Sequence, residues 1–217
     1  MRETFAQSLK ALQDDLARMG AIVESMVHQA LEALARRDVA LANKVMTLDD
    51  DVDHLNLDIE NRCLELIALQ QPLARDLRTI AAAMKIITDI ERMGDYAVDM
   101  AKEAIKLADR PLFKPLVDIP RMGELVKEML RESLEAFASR DLDLVRRVIE
   151  RDDAVDHLQR ALFDELIDFM VKDSSLVFQS VHLIMITRYL ERIADHITNV
   201  GERVIYMETG ELAEFHK

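Results

Sequence analysis

The sequence has few of the residues that interrupt helices. Among its 217 residues are only five glycines and four prolines, with no tryptophan and 5% aromatic residues. Alanine, leucine, glutamate, arginine and methionine are abundant instead, and they lose little rotamer freedom in a helix. So few turn formers argue against a fold of many short segments. The composition predicts long helices.

Cysteine and long apolar runs are also scarce. A single cysteine, Cys63, excludes an internal disulfide and fits a reducing compartment. The longest stretch without a charge, from Ser174 to Thr187, is too short to span a bilayer. The chain starts in an amphipathic segment and not in an apolar signal sequence. We therefore expect a cytoplasmic protein without membrane insertion.

Acidic residues outnumber basic residues. The chain has 28 Lys and Arg against 41 Asp and Glu, so its net charge is −13. This charge argues against a nucleic acid partner, because phosphates must be neutralised by basic side chains. It suits a cation ligand or a partner with a basic surface. With 50% apolar and 32% charged residues, the chain is expected to be globular and not disordered.

The sequence contains an internal repeat. LEALARRD at 31–38 returns as LEAFASRD at 134–141, an offset of 103 residues. Further on, residues 89–105 match residues 189–205 at an offset of 100 residues. The second copy therefore lacks three residues at the place that corresponds to Pro72 of the first copy. A deletion is best tolerated at a turn, and the change of register therefore marks a connection between helices.

Each copy predicts three helices, and the fold class is all-α, with two tandem pseudo-symmetric three-helix bundles. The predicted helices are 3–36, 38–70, 73–108, 119–139, 141–171 and 174–209. Asp38 and Asp141 are candidate N-caps. We place the first bundle at 1–108 and the second at 121–217. Residues 109–120, which hold three of the four prolines, form the linker.

The third helix of each copy has an apolar stripe with spacings of three and four residues, which a bundle core requires. The stripes are Ile86, Ile90, Met93, Ala97, Met100, Ala104 and Leu107, and Ile186, Leu190, Ile193, Ile197, Val200, Val204 and Met207.

A second stripe on the same helices is interrupted by an acid at the same place in both copies. These acids are Glu91 and Glu191, each followed four residues later by Asp95 or Asp195. Carboxylates at this spacing lie about 5–6 Å apart and destabilise a helix by roughly 0.2–0.5 kcal/mol unless something neutralises them.

The second helices carry matching pairs, Asp49 with Asp53 and Asp152 with Asp156. Helices two and three of a bundle run antiparallel, so residues equally distant from their turn meet at one level. Along the chain, the position halfway between the two acidic pairs of the first copy is Pro72. In the second copy, the position halfway between the two acidic pairs also falls at the predicted turn. Each copy should therefore place four carboxylates opposite one another.

Four carboxylates at one level suit a hard cation such as Fe, Mn, Mg or Ca. We expect iron or another divalent or trivalent cation. Helical bundles hold such metals with carboxylates on facing helices. Neither Glu-x-x-His nor His-Glu-x-x-His occurs, which argues against a ferritin-like oxidase or a zinc protease. A salt-bridge ladder is the alternative, because Arg92 and Arg192 lie three residues before Asp95 and Asp195. Possible additional ligands are Asp99, Asn199, His54 and His157, although the two histidines also fit polar positions on the flank of the second helix.

Two arginines open the third helix of the first copy only. Arg75 and Arg78 have Ser175 and Phe178 as their counterparts. They are candidates for binding a partner or an anion near the helix N-terminus. The alternative is ion pairing with nearby acids of the same chain.

Three runs of the sequence resemble a known family. The runs QPLARDLR at 71–78, IERMGD at 90–95 and YLERIADHITN at 189–199 resemble the signature of the PhoU family. The resemblance covers nearly the whole chain and implies two three-helix bundles, with surface metal clusters held by Glu/Asp-x-x-x-Asp motifs. Met93 stands where an aliphatic residue is commoner.

The resemblance also implies a regulatory role. PhoU-like proteins connect the ATPase subunit of a phosphate ABC transporter to a sensor histidine kinase and repress the phosphate regulon when phosphate is plentiful. We also expect a homodimer. Two other hypotheses stay open: a metal-dependent enzyme such as a hydrolase, and a helical scaffold whose acids bind nothing. The sequence has no nucleophile–base constellation and no phosphate-cradling glycine loop, which favours the non-enzymatic regulator.

Overall fold

The computed structural model describes the backbone of residues 2–211 and 213, and the side chains of residues 5–211 and 213. This part of the chain forms six α-helices and a short 3-10 turn, and it contains no strand. The helices are α1 (Arg2–Arg36), α2 (Val39–Gln70), α3 (Ala74–Leu107), α4 (Asp118–Ser139), α5 (Leu142–Lys172) and α6 (Val177–Thr209). The all-α prediction is confirmed, and its helix boundaries agree to within three residues.

Both predicted N-caps are confirmed. The Asp38 carboxylate accepts a hydrogen bond of 3.0 Å from the N–H of Leu41. The Asp141 carboxylate accepts bonds from the N–H groups of Asp143 (2.8 Å) and Leu144 (3.4 Å). Such caps satisfy N–H groups that the first turn of a helix leaves without a partner.

The start of the last helix differs from the prediction. A 3-10 turn, Ser174–Leu176, precedes α6, which begins at Val177 and not at residue 174. The Asp173 carboxylate accepts a hydrogen bond of 2.9 Å from the N–H of Ser175 and so caps this turn. The local cap produces a tighter turn that apolar periodicity does not reveal.

The helices lie in two layers. One layer has the order α2, α3, α6, α5, in which each helix packs against the next. In the other layer α1 covers α2 and α3, α4 covers α5 and α6, and α1 contacts α4. The two bundles therefore share one continuous hydrophobic core. Both predicted apolar stripes lie in it, because no member is more than 3% exposed.

The central helices α3 and α6 are antiparallel. The Tyr96 ring stacks on Tyr189 with 6.0 Å between ring centroids, and Arg75 at the start of α3 pairs with Glu208 at the end of α6. A pseudo-two-fold axis between these helices relates the bundles. In the repeat, Tyr96 corresponds to His196, and Asp89 corresponds to Tyr189. The contact of His196 with Asp89 is therefore the equivalent of the contact of Tyr96 with Tyr189.

The contact between α1 and α4 depends on two glycines. A Cβ on Gly20 would overlap the Leu134 side chain, and one on Gly123 would overlap Leu31. The two contacts are equivalent under the repeat, since both pairs are related by the offset of 103 residues. Glycine thus lets each leucine pack against the backbone of the facing helix.

Among the described residues, no helix is both long and apolar enough to cross a bilayer.

Candidate functional site

The first bundle gathers its four predicted carboxylates between α2 and α3. Burial raises the pKa of Asp49, and repulsion from Asp53 and Asp95 raises it further. Burial likewise raises the pKa of Glu91, and repulsion from Asp95, Asp53 and Asp49 raises that pKa further. These mutual effects require the two acidic pairs to face each other, as the sequence predicted.

A glycine of α3 faces α2 at this level. Gly94 lies between the two acids of α3, and a Cβ there would stand 3.5 Å from Oδ1 of Asp49 and 3.6 Å from Val52. These are ordinary van der Waals distances, so an alanine would also fit here, as Ala194 does in the second bundle.

The second bundle repeats the arrangement. Burial raises the pKa of Glu191, and repulsion from Asp195 and Asp156 adds to it, while Arg192 and Arg188 act in the opposite direction. Three of the four predicted acids are thus within electrostatic reach of one another across α5 and α6.

The fourth acid, Asp152, lies half-buried on α5 one turn before Asp156. Ala194 takes the place that glycine has in the first bundle, and it is buried.

Arginines bond both acidic pairs of the central helices. Nη1 of Arg92 lies 2.8 Å from Oδ2 of Asp95, and its Nε lies 3.4 Å from Oε2 of Glu91. Arg192 contacts the equivalent acids at 3.3 and 3.7 Å. The Arg92 side chain is 55% exposed, so water screens these ion pairs and they contribute little to stability. Since the pKa of Glu91 is still raised, burial and repulsion outweigh the arginine.

The further candidate ligands are placed differently. Asp99 accepts a hydrogen bond of 2.9 Å from Lys102. This bond raises the pKa of Lys102, and the negative charges of Asp49 and Asp95 raise it further. Asp99 is therefore close to the first acidic cluster, with a lysine nearby. His54 and His157 are exposed, which fits the alternative of polar positions on the helix flank.

Asn199 belongs to a contact between the bundles that sequence reasoning missed. Its Nδ2 donates a hydrogen bond of 3.1 Å to Oδ1 of Asp89, which also lies 2.9 Å from Nδ1 of His196. The His196 ring packs 5.8 Å from that of Tyr96. No sequence signal identifies Asp89, because its partners are more than 100 residues away along the chain.

The arginines at the start of α3 contact acids and carbonyls of the same chain. Arg75 pairs with Glu208, which also accepts a bond of 2.7 Å from Arg140. Nε of Arg78 donates to the carbonyl of Met207 at 3.2 Å. Burial would raise the pKa of Glu208, but the bonds from Arg140 and Arg75 outweigh it and lower that pKa. These contacts join the beginning of α3 to the end of α6. The ion-pairing alternative expected nearby acids, whereas the acid that Arg75 pairs with lies 133 residues away along the chain.

Comparison with known proteins gives the family. A family model described as "PhoU domain" matches residues 16–104 and 119–204, one match on each copy of the repeat. This chain belongs to the PhoU family. The phosphate-specific transport system accessory protein PhoU homolog of Clostridium acetobutylicum is 40% identical over 216 residues, covering 99% of both chains. The homolog of Aquifex aeolicus is 42% identical over 208 residues, covering 96% of this chain and 94% of its own.

Solved PhoU structures have the same fold. PhoU from Pseudomonas aeruginosa matches with a TM-score of 0.90 and 35% identity, covering 95% of this chain and all of that one. The phosphate transport system regulatory protein PhoU from Streptococcus pneumoniae matches with a TM-score of 0.90 and 31% identity, covering 97% and 99% of the two chains.

The acidic clusters of this PhoU-family chain have the donor chemistry of a metal site without the geometry of a closed one. Within the described part of the chain, no three Asp, Glu, His or Cys side chains stand close enough to share one ion. The chemistry of the donors nevertheless suits a hard cation, because all eight predicted ligands are carboxylates. The side chains are also partly exposed, 22% for Glu91 and 43% for Asp95, so they have room to rotate towards an ion.

The raised pKa values predict how stability depends on pH. For Asp49, Glu91 and Glu191, the stabilising contribution is complete below the ordinary pKa values of 3.8 for Asp and 4.5 for Glu. It is lost as the pH rises through the raised values. For protein kept in excess chelator, the contribution of these three acids should therefore give a higher melting temperature near pH 4.5, the ordinary pKa of Glu, than at about pH 7.5.

The matched control replaces the three acids with amides. Asp49→Asn, Glu91→Gln and Glu191→Gln together should flatten this part of the pH dependence, and the melting temperature is measured by circular dichroism. An equal rise in the triple variant would show that other groups cause it.

Proposed function

We propose that this chain is a non-enzymatic accessory protein of a phosphate-specific transport system and a regulator of phosphate uptake. The observation that carries the proposal is similarity over the full length to proteins of that name, including both copies of the repeat. Since a fold alone does not imply a function, this whole-chain similarity is a stronger argument than the helical architecture.

We further propose that the protein works in the cytoplasm and links two partners. These are the ATPase subunit of the phosphate ABC transporter and a sensor histidine kinase, and through them it represses the phosphate regulon when phosphate is plentiful. The helices α2, α3, α5 and α6 support this role with a broad surface on which other proteins can dock. Self-association into a homodimer stays a prediction.

The acidic clusters are proposed to hold the metal, iron or another divalent or trivalent cation. Asp49, Asp53, Glu91 and Asp95 would hold it in the first bundle, and the equivalent acids Asp152, Asp156, Glu191 and Asp195 would hold it in the second. Repulsion between partly buried carboxylates supports the proposal, because a bound cation neutralises it. When bound, the cation would supply charge neutralisation at this surface.

Arg75 and Arg78 remain candidates for a partner contact. Arg75 is 59% exposed and bonded to Glu208, so a partner's carboxylate would have to replace that acid. Such an exchange is electrostatic and would weaken at high salt. The contact would then also loosen the link between α3 and α6.

The regulatory proposal is tested in the organism that encodes the chain. Deleting the gene should switch on a phosphate-starvation reporter in phosphate-rich medium, and the wild-type gene should silence it again. In the same strains, radiolabelled phosphate uptake should rise on deletion. A reporter that stays silent in the deletion strain, together with unchanged uptake, would contradict the proposal.

A further inference from the structure

The repeat places equivalent arginines after α1 and after α4. Arg37 follows α1 and Arg140 follows α4, and the repeat offset of 103 residues relates the two. Both residues have a left-handed backbone, with φ angles of 56° and 63°. Because the backbone has the same form at both places, the surroundings of the two guanidinium groups can be compared directly.

Arg140 is bonded to groups of its own chain. Its Nη1 donates a hydrogen bond of 2.7 Å to Oε1 of Glu208, and its Nη2 donates one of 3.0 Å to the hydroxyl of Thr79. The side chain is 25% exposed. These bonds connect the end of α4 with the end of α6 and the start of α3, so Arg140 ties the second bundle to the first.

Arg37 lacks both kinds of partner. At the offset of 100 residues, Ala108 is the counterpart of Glu208. Gln179 is the counterpart of Thr79, and its side-chain amide is bonded to the linker. Throughout the described chain, no residue accepts a hydrogen bond from Arg37 or forms an ion pair with it, and Arg37 is exposed.

The linker that follows α3 is fixed close to this arginine. Gln179, which is buried in α6, accepts a hydrogen bond of 3.1 Å from the N–H of Phe113 and donates one of 2.9 Å to the carbonyl of Pro111. The Phe113 ring also packs edge-on against Phe169 of α5, with 5.0 Å between the ring centroids. The linker is therefore held on the second bundle by hydrogen bonds and by ring packing.

A recess of about 460 Å³ lies between the end of α1 and the linker. Its two cations are Arg37 and Lys114, and Lys114 pairs with Glu165 of α5. The carboxylate of Asp38, the residue after Arg37, is engaged in capping α2. The other lining residues are all apolar, namely Ala35, Pro111, Leu112, Phe113, Pro115 and Leu116. Arg37 therefore presents a free guanidinium beside an apolar wall that is already in place.

This arrangement suits an anion that has an apolar body. The equivalent arginine, Arg140, holds the carboxylate of Glu208, and arginine pairs with carboxylates through strong charge-assisted hydrogen bonds. Small-molecule sites usually measure about 300–1,000 Å³, with apolar walls around the body of the ligand and a few polar groups that fix its orientation. Inorganic phosphate is polar on all sides, so it would gain nothing from the apolar wall.

We propose that the recess binds a small organic carboxylate, which pairs with Arg37 and lays its apolar body against Leu112 and Leu116. The bound carboxylate would take the role that Glu208 has at the other end of the molecule. It would connect α1 of the first bundle to the linker that α6 holds. The proposal goes beyond the regulatory role and does not depend on the proposed partners.

The test uses the full chain, with sodium hexanoate as the probe and the backbone amide signals of Leu112 and Leu116 in two-dimensional NMR as the readout. Hexanoate should shift these signals in a saturable way. Acetate lacks the apolar body and 1-hexanol lacks the charge, so each should bind about tenfold or more weakly than hexanoate.

Arg37→Gln should weaken hexanoate binding about tenfold or more, because it removes the charge that holds the carboxylate. The matched control is Arg36→Gln, which removes the same charge one residue away. Arg36 pairs with Glu32 at 2.8 Å and does not line the recess, so this variant should bind like the wild type. Both arginines are exposed, so both variants should fold, which circular dichroism verifies.

Three results would overturn the proposal. The first is the absence of any shift at Leu112 and Leu116 up to about 50 mM hexanoate. The second is equal binding by Arg37→Gln and the wild type, or an equal loss in Arg36→Gln, which would show that net charge alone attracts the anion. The third is tighter binding of inorganic phosphate than of hexanoate, which would make the recess a phosphate site in which the apolar wall has no part.

Discussion

Replacing Phe137 with alanine should lower the free energy of unfolding by about 3–5 kcal/mol. Phe137 is 1% exposed near the end of α4 and is among the largest side chains that the structure buries completely. Removing its ring takes apolar area from the core and leaves a cavity that close-packed neighbours fill only in part. Since domains are usually stable by about 5–15 kcal/mol, this single change would remove a large share.

The shape of the transition is part of the same prediction. The bundles share one core, and α4 contacts α1 of the other bundle, where Nε2 of Gln13 donates to the carbonyl of Ala138. Urea denaturation followed by circular dichroism should therefore show one transition that moves as a whole. Phe163→Ala is the control, because Phe163 is 42% exposed and its loss should cost little. A transition that splits in two would show that the bundles unfold independently.

Glu91→Gln with Asp95→Asn should empty the first acidic cluster of metal and spare the second. If both clusters bind, the metal content of purified protein should fall by about half, because four carboxylates of one bundle lose two of their charges. Excess chelator should lower the melting temperature of the wild type, since a ligand bound only to the folded state stabilises it. The amides keep the shape of the acids, so packing is preserved.

The mirror variant, Glu191→Gln with Asp195→Asn, is the matched control and should spare the first cluster. Elemental analysis measures the metal, and the melting temperature in chelator measures the repulsion. In chelator, both variants should be more stable than the wild type, because burial and repulsion raise the pKa of Glu91 and Glu191. Metal at background level in the wild type would show that the acids only repel one another.

The acidic clusters were predicted from sequence because their geometry within a bundle is local. Two helices joined by a tight turn must be antiparallel, so counting back from Pro72 brings Asp49 and Asp53 to the level of Glu91 and Asp95. The structure confirms this placement. The ligand role of these acids stays a prediction, and the sequence left both interpretations open, a metal site and an arginine ladder.

The contacts of Arg75 show where such counting fails. Its partner Glu208 is 133 residues away along the chain. Nothing in the composition of either segment indicates that the start of α3 meets the end of α6, because the position of one bundle on the other depends on the fit of whole surfaces. From the sequence, Arg75 could be assigned to a partner contact or to an ion pair, but the acid in that ion pair could not be identified.

The sequence by itself determined the six helices, their caps and their buried stripes, because helical propensity, capping and periodicity act between residues only a few positions apart. It also determined which carboxylates face each other in the first bundle, because a short turn fixes the level at which two antiparallel helices meet. Only the tertiary structure decided the order of the helices in the layer, the antiparallel contact of α3 with α6, and the pairing of Asp89 with His196. These depend on how side chains such as Leu134 fit against Gly20, a complementarity of shape between distant segments that has no period in the sequence.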